Sequence, residues 1–558
     1  MGIDLRGTAV AVVAASGLAV CGLAARAATP CEPHWLPVSA NTFVTGQAIV
    51  DMTMWDDDGS GPHEPRLVVC GQFTSVGGVP AANIAMWDGR TWAQIGGGVS
   101  RYAASVLALA DGRLVAAGLM NQAGGTAVNN IAVWDGSSWS NLGTGLSGSV
   151  LPINFQVNAL TQAANGDLYA AGGFTTAGGK AVNNIARWDG NEWWPLGTGL
   201  TRGTLTDYSW VSCLSWLSPT QLLVGGLFGD AGGVPVKSLA SWDGATWTSF
   251  AGGVSGTVWS TARSTDGLTY FAGSFSAGSF FTPQARNAAA WDGSQWLQLG
   301  SGVNLWIGLA ARDVAVLRNG DTVFGGDINN SSFLYGQSIA RWNGSSWSSL
   351  GNGLSRRVQR LFVLPSGELL VGLDSGGINV PGLSMLQRWG GAETAWIAHQ
   401  PQAASPSCGG SATVVAALAS GYDAASVTWK RGEAVLAHDP AAGVRIEYAD
   451  GVSTLRLDNL RPESAGLYRC TFDFGCNQVE SAPAALAVTG ACCPGDLTLD
   501  AMVDDLDFQA FAAAYNLVVC GDSAMAPGCP ADLNRDGVVD DSDFEAFVQA
   551  YNAVVCAG

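Results

Sequence analysis

The sequence predicts a mainly β protein whose largest part is a seven-bladed β-propeller. A ten-residue stretch, 83–92, returns in near copies six more times, and no helical pattern separates the copies. Steps of 47 to 54 residues between copies are typical of propellers, in which each unit is a four-stranded blade that buries its faces only against its neighbours. The first tryptophan of each copy marks the period: Trp87, Trp134, Trp188, Trp242, Trp291, Trp342 and Trp389.

The amino-acid composition agrees with this prediction and excludes some classes of binding partner. The chain has 75 glycines, 22 tryptophans and only 13% charged residues, which suits short strands and tight turns rather than helices. Its formal charge of −19 argues against nucleic acid or an anionic membrane surface as a partner. Cations and neutral ligands such as carbohydrate stay open.

Residues 1–27 are predicted to be a secretory signal peptide. Arg6 precedes an apolar run over 8–25, and Ala25-Arg26-Ala27 has the small-x-small form of a cleavage site. An uncleaved anchor and a lipoprotein box ending at Cys21 are the alternatives. We expect a secreted or cell-surface protein with no membrane span after cleavage, since no later segment is apolar for long enough.

The twelve cysteines fit an oxidising compartment. Cys31 and Cys70 are candidates for a disulfide in the first repeat unit. Cys213 lies in an apolar run and is predicted to be a buried free thiol.

Residues 28–400 form the repeat region, and the second unit shows its pattern. Four predicted strands, 106–110, 113–120, 130–134 and 139–142, are joined by short turns and form a meander. Asp-Gly between two of them is a strong hairpin signal because glycine accepts positive φ. The two tryptophans of each unit are expected to pack across the outer hairpin. Residues 35–38 are predicted to be a separate fourth strand that closes the ring against the seventh unit. The second tryptophan of that unit is assigned to Trp396.

Most polar and aromatic candidates in this region have a structural interpretation. The acidic turn 56–58 is predicted to be solvated, with a weak cation site as the alternative. The aspartates after the first tryptophans are predicted turn formers, with calcium or sugar binding as the alternative: Asp88, Asp135, Asp189, Asp243 and Asp292. Four further tryptophans in apolar runs are predicted core residues, with sugar stacking as the alternative: Trp210, Trp216, Trp259 and Trp306.

The glycine doublets and paired tryptophans resemble propellers of the kelch and galactose-oxidase type. W-D-G-x-x-W also resembles the Asp-box of sialidases, which is structural in that family. The resemblance is one of architecture. Copper oxidases of this fold use two histidines and two tyrosines, whereas this chain has four histidines, three of them outside the regular strands. Loops after the second strands hold almost no carboxylates, so we assign no catalytic residue.

Residues 401–489 show a different all-β pattern after a predicted linker at 401–406. Trp429 lies in an alternating strand, and Tyr468 stands two residues before Cys470. This core tryptophan and tyrosine corner resemble the immunoglobulin family, which implies a β-sandwich acting as a spacer or binding module. Cys408 is expected to pair with Cys476 or with Cys470.

Residues 490–558 carry a calcium-type loop. Oxygen ligands occur at loop positions 1, 3, 5, 9 and 12, with glycine at 6 and a backbone carbonyl at 7. A hard cation takes six to eight oxygens, and this spacing wraps them round one centre. The predicted ligands are Asp532, Asn534, Asp536, Val538, Asp540 and Asp543. An acidic turn that caps a helix is the structural alternative.

A second copy lies 36 residues earlier and is predicted to bind more weakly, since Ala501 replaces the glycine. Its predicted ligands are Asp496, Thr498, Asp500, Asp504 and Asp507. The duplicated loop and helix resembles a cysteine-bearing dockerin, which implies bound Ca²⁺ and anchoring to a cohesin-like or cell-surface scaffold. Recognition positions 10 and 11 depart from the usual Ser-Thr, being Asp505-Leu506 and Asp541-Ser542.

Together these patterns favour an exported, non-catalytic binding or structural protein anchored through its C-terminal calcium module. The alternative is a dockerin-borne enzyme acting on extracellular polysaccharide, of the glycoside hydrolase or carbohydrate oxidase type. Carboxylates or a His-Tyr set converging on the propeller axis would favour that alternative.

Overall fold

The computed structural model describes most of the chain and shows a mainly β protein with many small sheets and two C-terminal helices. The described residues are 29–36, 44–59, 61, 64–149, 157–203, 209–277, 285–300, 310–328, 338–375, 385–489, 495–498, 502–520, 522, 524–526, 529–534 and 536–553. The predicted signal peptide, Trp306 and Asp500 lie outside them.

Among the described residues, the repeat region contains seven sheets built on four antiparallel strands, and three smaller sheets of two or three strands lie beside them. A short strand, β1 (His34–Leu36), precedes the first. The first sheet has β2 (Val44–Trp55), β3 (Arg66–Val76), β4 (Val79–Pro80), β5 (Ile84–Trp87) and β6 (Trp92–Gln94). The second unit has β7 (Tyr102–Ala108), β8 (Leu114–Leu119), β9 (Gln122–Ala123), β10 (Thr126–Ala127), β11 (Ile131–Trp134) and β12 (Trp139–Ser140). The third has β13 (Leu146–Ser149), β14 (Val157–Gln162), β15 (Leu168–Gly172), β16 (Phe174–Ala177), β17 (Lys180–Ala181), β18 (Ile185–Trp188) and β19 (Trp193–Pro195).

The remaining repeat units follow the same plan. The fourth has β20 (Leu200–Thr201), β21 (Trp210–Ser218), β22 (Gln221–Leu227), β23 (Asp230–Ala231), β24 (Val234–Pro235), β25 (Leu239–Trp242) and β26 (Trp247–Ser249). The fifth has β27 (Ser255–Arg263), β28 (Thr269–Ala277), β29 (Ala285–Trp291) and β30 (Trp296–Gln298). The sixth has β31 (Ala311–Val316), β32 (Thr322–Gly326), β33 (Ile339–Trp342) and β34 (Trp347–Ser349). The seventh has β35 (Val358–Val363), β36 (Leu369–Leu373) and β37 (Leu386–Gly390).

The predicted meander is confirmed. In the second unit the order is β7, β8, β11 and β12, with each strand beside the next. Strand ends differ from the predicted ones by a few residues, as is usual where turns fray. The first strand of each sheet contacts the first strand of the next, and β35 contacts β2, so the seven sheets follow one another in a closed cycle.

The chain's start completes the seventh sheet, as predicted for Trp35. β1 pairs antiparallel with β37, and Trp35 lies opposite Trp389 with ring centroids 5.1 Å apart. The assignment of Trp396 as the second tryptophan of that unit is therefore wrong. Trp396 instead packs edge-on against Trp87 at 6.0 Å, since the residues after it pair with the next sheet.

The paired tryptophans hold each outer hairpin and also join neighbouring sheets. Trp188 lies opposite Trp193 with centroids 5.4 Å apart, and the other five hairpins repeat the pair. The indole N–H of Trp193 donates to the carbonyl of Leu142 in the preceding unit at 2.9 Å. Trp247, Trp296 and Trp347 make the equivalent bond. Each pair is worth about 0.5–1.5 kcal/mol beyond the area it buries.

The hairpin aspartates form turns, as predicted. Asp189 Oδ1 accepts from the backbone N–H of Asn191 and Glu192 at 2.9 Å each, and the four equivalent aspartates do the same. These N–H groups lower the pKa of Asp189 to about 2, and the N–H groups of Gln295 and Ser294 lower that of Asp292 to about 2.

We expect these turns to make the repeat region sensitive to acid. Because the folded pKa values lie below the ordinary aspartate value, the unfolded chain binds more protons, and stability falls as the pH drops from about 4 to about 2. A D189N/D292N variant should show a shallower loss over that range in urea-denaturation midpoints. An asparagine is compatible with this turn, because Asn343 in the sixth unit accepts from the two equivalent N–H groups. Equal pH slopes in both proteins would contradict this expectation.

Two further sheets follow the repeats. Their strands are β38 (Ile397–His399), β39 (Ala412–Leu418), β40 (Ser426–Arg431), β41 (Ala434–Val435), β42 (Val444–Ala449), β43 (Val452–Leu457), β44 (Gly466–Asp473), β45 (Gln478–Glu480) and β46 (Ala484–Leu486). One sheet has the order β38-β39-β43-β42 and the other β41-β40-β44-β45, with β46 also paired to β44. Trp429 is fully buried between them, and the Tyr468 hydroxyl donates to the Ser464 carbonyl at 2.6 Å.

These two sheets pack directly on the repeat region. Their core includes Leu36 of β1 and Ala392, which follows β37. The boundary at 400/401 stays a prediction, although β38 already pairs with β39 before it. The predicted linker is held against β46 by a parallel bridge between Ala404 and Leu486.

The disulfides differ from the predicted pairs. Cys31 is bonded to Cys476, which ties the start of the chain to the second of these sheets, while Cys70 is a buried free thiol in β3. Cys408 is disulfide-bonded, but neither to Cys476 nor to Cys470, since Cys470 is free and buried. Cys213 is free, as predicted, but it is half-buried rather than buried. Sequence spacing could not find the Cys31 pair because its 445-residue separation closes only in the folded chain.

The C-terminal part contains α1 (Asp505–Tyr515) and α2 (Asp541–Ala553). Phe511 and Phe547 stack between the helices with centroids 5.0 Å apart, and the Cys520–Cys529 disulfide lies in the same small core. Neither described helix is long and apolar enough to cross a bilayer.

Candidate metal centre and central cavity

Three predicted ligands of the second acidic loop come together. Carboxylate oxygens of Asp532, Asp536 and Asp543 lie within 4.8 Å of one another, and Asp532 and Asp543 are buried. Gly537 makes the sharp turn at φ +92°, where a side chain would be strained. Three carboxylates at this spacing repel one another, so a divalent cation between them would be stabilising.

The rest of the second loop is arranged around backbone N–H groups. Asp543 Oδ1 accepts from Leu533 and Asn534 at 2.6 and 2.9 Å. Asn534 Oδ1 accepts from the N–H of Asp536 at 2.9 Å. Val538 and Val519 form an isolated antiparallel β-bridge, whose hydrogen bonds are made by the Gly537 carbonyl and the Val539 N–H. The Val538 carbonyl takes no part in these bonds.

The first loop repeats this geometry in its described part. Asp507 is fully buried and accepts from the N–H of Leu497 and Thr498 at 2.6 and 2.7 Å, as Asp543 does in the second loop. Asp496 is described, but Asp500 lies outside the described residues. Of the two calcium-type loops, the second is therefore the one whose described residues form a three-carboxylate cluster.

Two predicted ligands also cap the helices. Asp504 accepts from the N–H of Leu506 at 2.8 Å, and Asp540 accepts from that of Ser542 at 2.8 Å. Both bonds satisfy N–H groups that a helix start leaves unpaired. Asp504 and Asp540 therefore act as helix caps. The carboxylates of Asp532 and Asp536 do not cap a helix and belong to the loop cluster.

The donor set fits calcium. Hard carboxylate and amide oxygens with a carbonyl at position 7 are the ligands that Ca²⁺ takes. In the second loop Asp532, Asn534, Asp536, Val538, Asp540 and Asp543 would hold it, and the bound ion would supply positive charge that fixes the loop against α2.

The acidic turn in the first unit is a turn, as predicted. Asp56 Oδ1 accepts from the N–H of Gly59 at 2.8 Å, and Asp57 forms an ion pair with Arg66. The oxygens of residues 56–58 lie within 4.8 Å of one another, but exposed acidic turns commonly do so without an ion.

A separate cavity of about 620 Å³ lies where the seven first strands meet. Residues of β2, β7, β14, β21, β27, β31 and β35 all line it. Each of these strands shifts its register at the same place, where one extra residue is inserted opposite the second strand. Bulges of this kind re-aim side chains. The extra residues are Val50, Ala104, Asn158, Ser212, Trp259, Arg312 and Gln359.

The residues after the bulges form a polar network. Arg360 Nε lies 2.9 Å from Asp51 Oδ1, an ion pair whose N–H direction does not meet hydrogen-bond geometry, and Arg360 Nη1 lies 3.7 Å from Asp313. Asp51 also accepts from Ser105 and from backbone N–H groups, and Asp313 accepts from Ser260. Burial opposes the charged form of Arg360, yet Asp51 and Asp313 hold its pKa above the usual range.

Sequence reasoning missed this cavity. Trp210 and Trp259 line it, so their assignment to the core is wrong, whereas Trp216 packs edge-on against Tyr169 at 5.5 Å. The available signal was a charged residue at one repeat-equivalent position of otherwise apolar strands, at Asp51, Asp313 and Arg360. Predicted strand ends do not show where a bulge lies, so they do not show which residues face the cavity.

Comparisons with known proteins find only local likeness. No protein-family model matches the chain, and no curated protein matches it. A chimeric titin Z1Z2 carrying a KLER peptide from decorin is similar over 17% of this chain and 93% of its own, at 28% identity and TM-score 0.16. The M1 domain of titin is similar over 16% and 91%, at 29% identity and TM-score 0.15. The Ig1-2 module of the Drosophila receptor tyrosine phosphatase DLAR is similar over 17% and 48%, at 22% identity and TM-score 0.15. Such low TM-scores support no conclusion about this chain.

Proposed function

We propose that this chain is an exported, non-catalytic binding protein anchored by its C-terminal module. In this proposal the repeat region is a seven-bladed β-propeller that presents the binding site. The two following sheets are an immunoglobulin-like sandwich, and the C-terminal module is a dockerin-like anchor folded around Ca²⁺. The observation that carries the proposal is the cluster of Asp532, Asp536 and Asp543 in a loop that a second loop repeats.

Other observations support the parts of this proposal. The closed cycle of first strands and the pairing of β1 with β37 are what a propeller requires to leave no open sheet edge. Buried Trp429 between two sheets and the Tyr468 hydroxyl bond are typical of an immunoglobulin-like sandwich. Disulfides such as Cys31–Cys476 suit an oxidising compartment.

An enzyme acting on polysaccharide is the second candidate, because Asp51 and Asp313 converge on the cavity. Glycoside hydrolysis needs one carboxyl to donate a proton and another to act as base or nucleophile. Here both carboxylates share Arg360 and accept from backbone N–H groups, including that of Leu361 at 2.6 Å. These partners stabilise neighbouring strands and occupy the oxygens that catalysis would use, so we favour binding.

Anchoring is tested with the full mature chain and cell-wall fragments of its source. The chain should sediment with the fragments in calcium and stay in solution with chelator, because the module that binds the scaffold folds only with the ion. A D532N/D536N variant should stay in solution in both conditions. An E545Q variant should sediment like the wild type, since Glu545 is an exposed carboxylate on α2 outside the loop. If the chain sediments equally with calcium and with chelator, and the D532N/D536N variant sediments like the wild type, calcium-dependent anchoring is contradicted.

A further inference from the structure

The cavity between the first strands holds a guanidinium that has no ion-pair partner among the described residues. Ion pairs among the described residues engage Arg357 and Arg360, but not Arg312. Arg312 Nε is buried and has no hydrogen-bond partner in the described part of the chain, and the guanidinium carbon lies 5.0 Å from the ring centroid of Trp259. Burial, and next the charge of Arg357, lower the pKa of Arg312. An anion beside this half-buried cation would be stabilising.

The charges of Asp327 and Asp374 oppose the lowering of the Arg312 pKa, but no carboxylate of the described residues forms an ion pair with Arg312. Of the cavity-lining acids, Asp51 and Asp313 both face Arg360. Gln359, the neighbouring bulge residue, donates to Asp374 at 2.7 Å, and Asp374 also pairs with Arg357 at 3.5 Å. Arg312 is therefore the cavity cation to which the anionic group of a ligand could bind.

Two further donors stand beside Arg312. Ser212, Trp259 and Arg312 occupy the same bulge position in three successive sheets, so they lie side by side on one wall. Ser212 Oγ and Trp259 Nε1 are also buried without hydrogen-bond partners among the described residues. Three donors on one wall match a ligand that is rich in acceptor oxygens.

The cavity also offers flat apolar surface and room. Trp210 lies against Trp259 with ring centroids 6.3 Å apart and lines the same wall. A volume of about 620 Å³ is within the range of pockets that take a small organic ligand. The combination of a flat face, several donors and one unpaired cation suits a sugar ring that carries a carboxylate.

We propose that this cavity binds an acidic saccharide, with the carboxylate of a uronic acid unit on Arg312. Ser212 and Trp259 donate to its other oxygens, and Trp210 packs against the ring. The inference rests on the proposed function in that the repeat region is the binding part of the chain, but it does not depend on the calcium module.

Calorimetric titration of the full chain tests the inference with digalacturonate, neutral digalactose and acetate. Digalacturonate should bind, and digalactose should bind with an affinity at least about tenfold lower. Acetate should not compete with digalacturonate. R312Q should weaken digalacturonate binding roughly tenfold to hundredfold, the range for losing a charged hydrogen bond. R312K should give an intermediate affinity, because lysine keeps the charge and loses the planar fork.

The matched control is R113Q, which removes an exposed arginine that pairs with Asp111 on a turn outside the cavity. It should bind digalacturonate like the wild type, and the melting temperature of R312Q should not fall below that of the wild type. Equal binding of the acidic and neutral sugars, no binding of either, or wild-type affinity in R312Q would overturn the inference. Effective competition by acetate would overturn its saccharide part. The same titration in chelator should be unchanged, so a failure of calcium anchoring and a failure of this site can be told apart.

Discussion

Replacing Glu368 with glutamine is expected to lower the free energy of unfolding by about 3–5 kcal/mol, because it leaves Arg388 buried without its counter-charge. Glu368 and Arg388 are both buried, and Arg388 Nη2 lies 3.1 Å from Glu368 Oε2. The hydroxyl of Tyr422 donates to the same oxygen at 3.1 Å, and the indole of Trp396 donates to it at 3.3 Å. One carboxylate thus joins the seventh sheet to the sheets that follow it.

Urea denaturation of the full chain, followed by tryptophan fluorescence, measures this effect. The matched control is E480Q, whose half-exposed carboxylate pairs with Lys430 at 3.6 Å and should change stability by less than about 1 kcal/mol. An E368L/R388M variant, which removes both charges, should be more stable than E368Q, since no unpaired charge remains. If E368Q and E480Q denature alike, this cluster does not hold the two parts together.

Calcium is expected to stabilise the C-terminal module by about 2.7 kcal/mol when its free concentration is a hundred times the dissociation constant. The D536N variant should lose this gain at the second loop. Among the described residues Asp536 Oδ1 accepts from the N–H of Val538 at 3.1 Å, and an asparagine oxygen can keep that bond. The change therefore removes a charged ligand with little disturbance of the loop.

Thermal unfolding of the full chain with calcium and with chelator measures the gain, and the transition assigned to the module should shift in the wild type and in E545Q. If calcium shifts no transition in the wild type, the loops act as helix caps alone. An equal calcium shift in D536N would show that the ion binds elsewhere.

Features set by near neighbours in the chain could be predicted from the sequence. The Asp-Gly turns, the tryptophan pairs across them and the four-strand meander each depend on residues a few positions apart, whose geometry φ preferences and strand alternation dictate. The acidic loop is local as well, because twelve consecutive residues carry both its ligands and its turn. For the same reason Asp532, Asp536 and Asp543 come together where spacing alone placed them.

Features that join distant parts of the chain were decided by the tertiary structure. Trp35 rather than Trp396 completes the seventh tryptophan pair, because β1 pairs with β37 at the sheet edge while the residues after Trp396 pair with β39. Cys31 meets Cys476 only when the two ends of the sheet system pack together. Trp259, which was predicted to be a core residue, lines the cavity beside Arg312 because a bulge in each first strand re-aims the side chains there. No pairwise spacing in the sequence records that insertion.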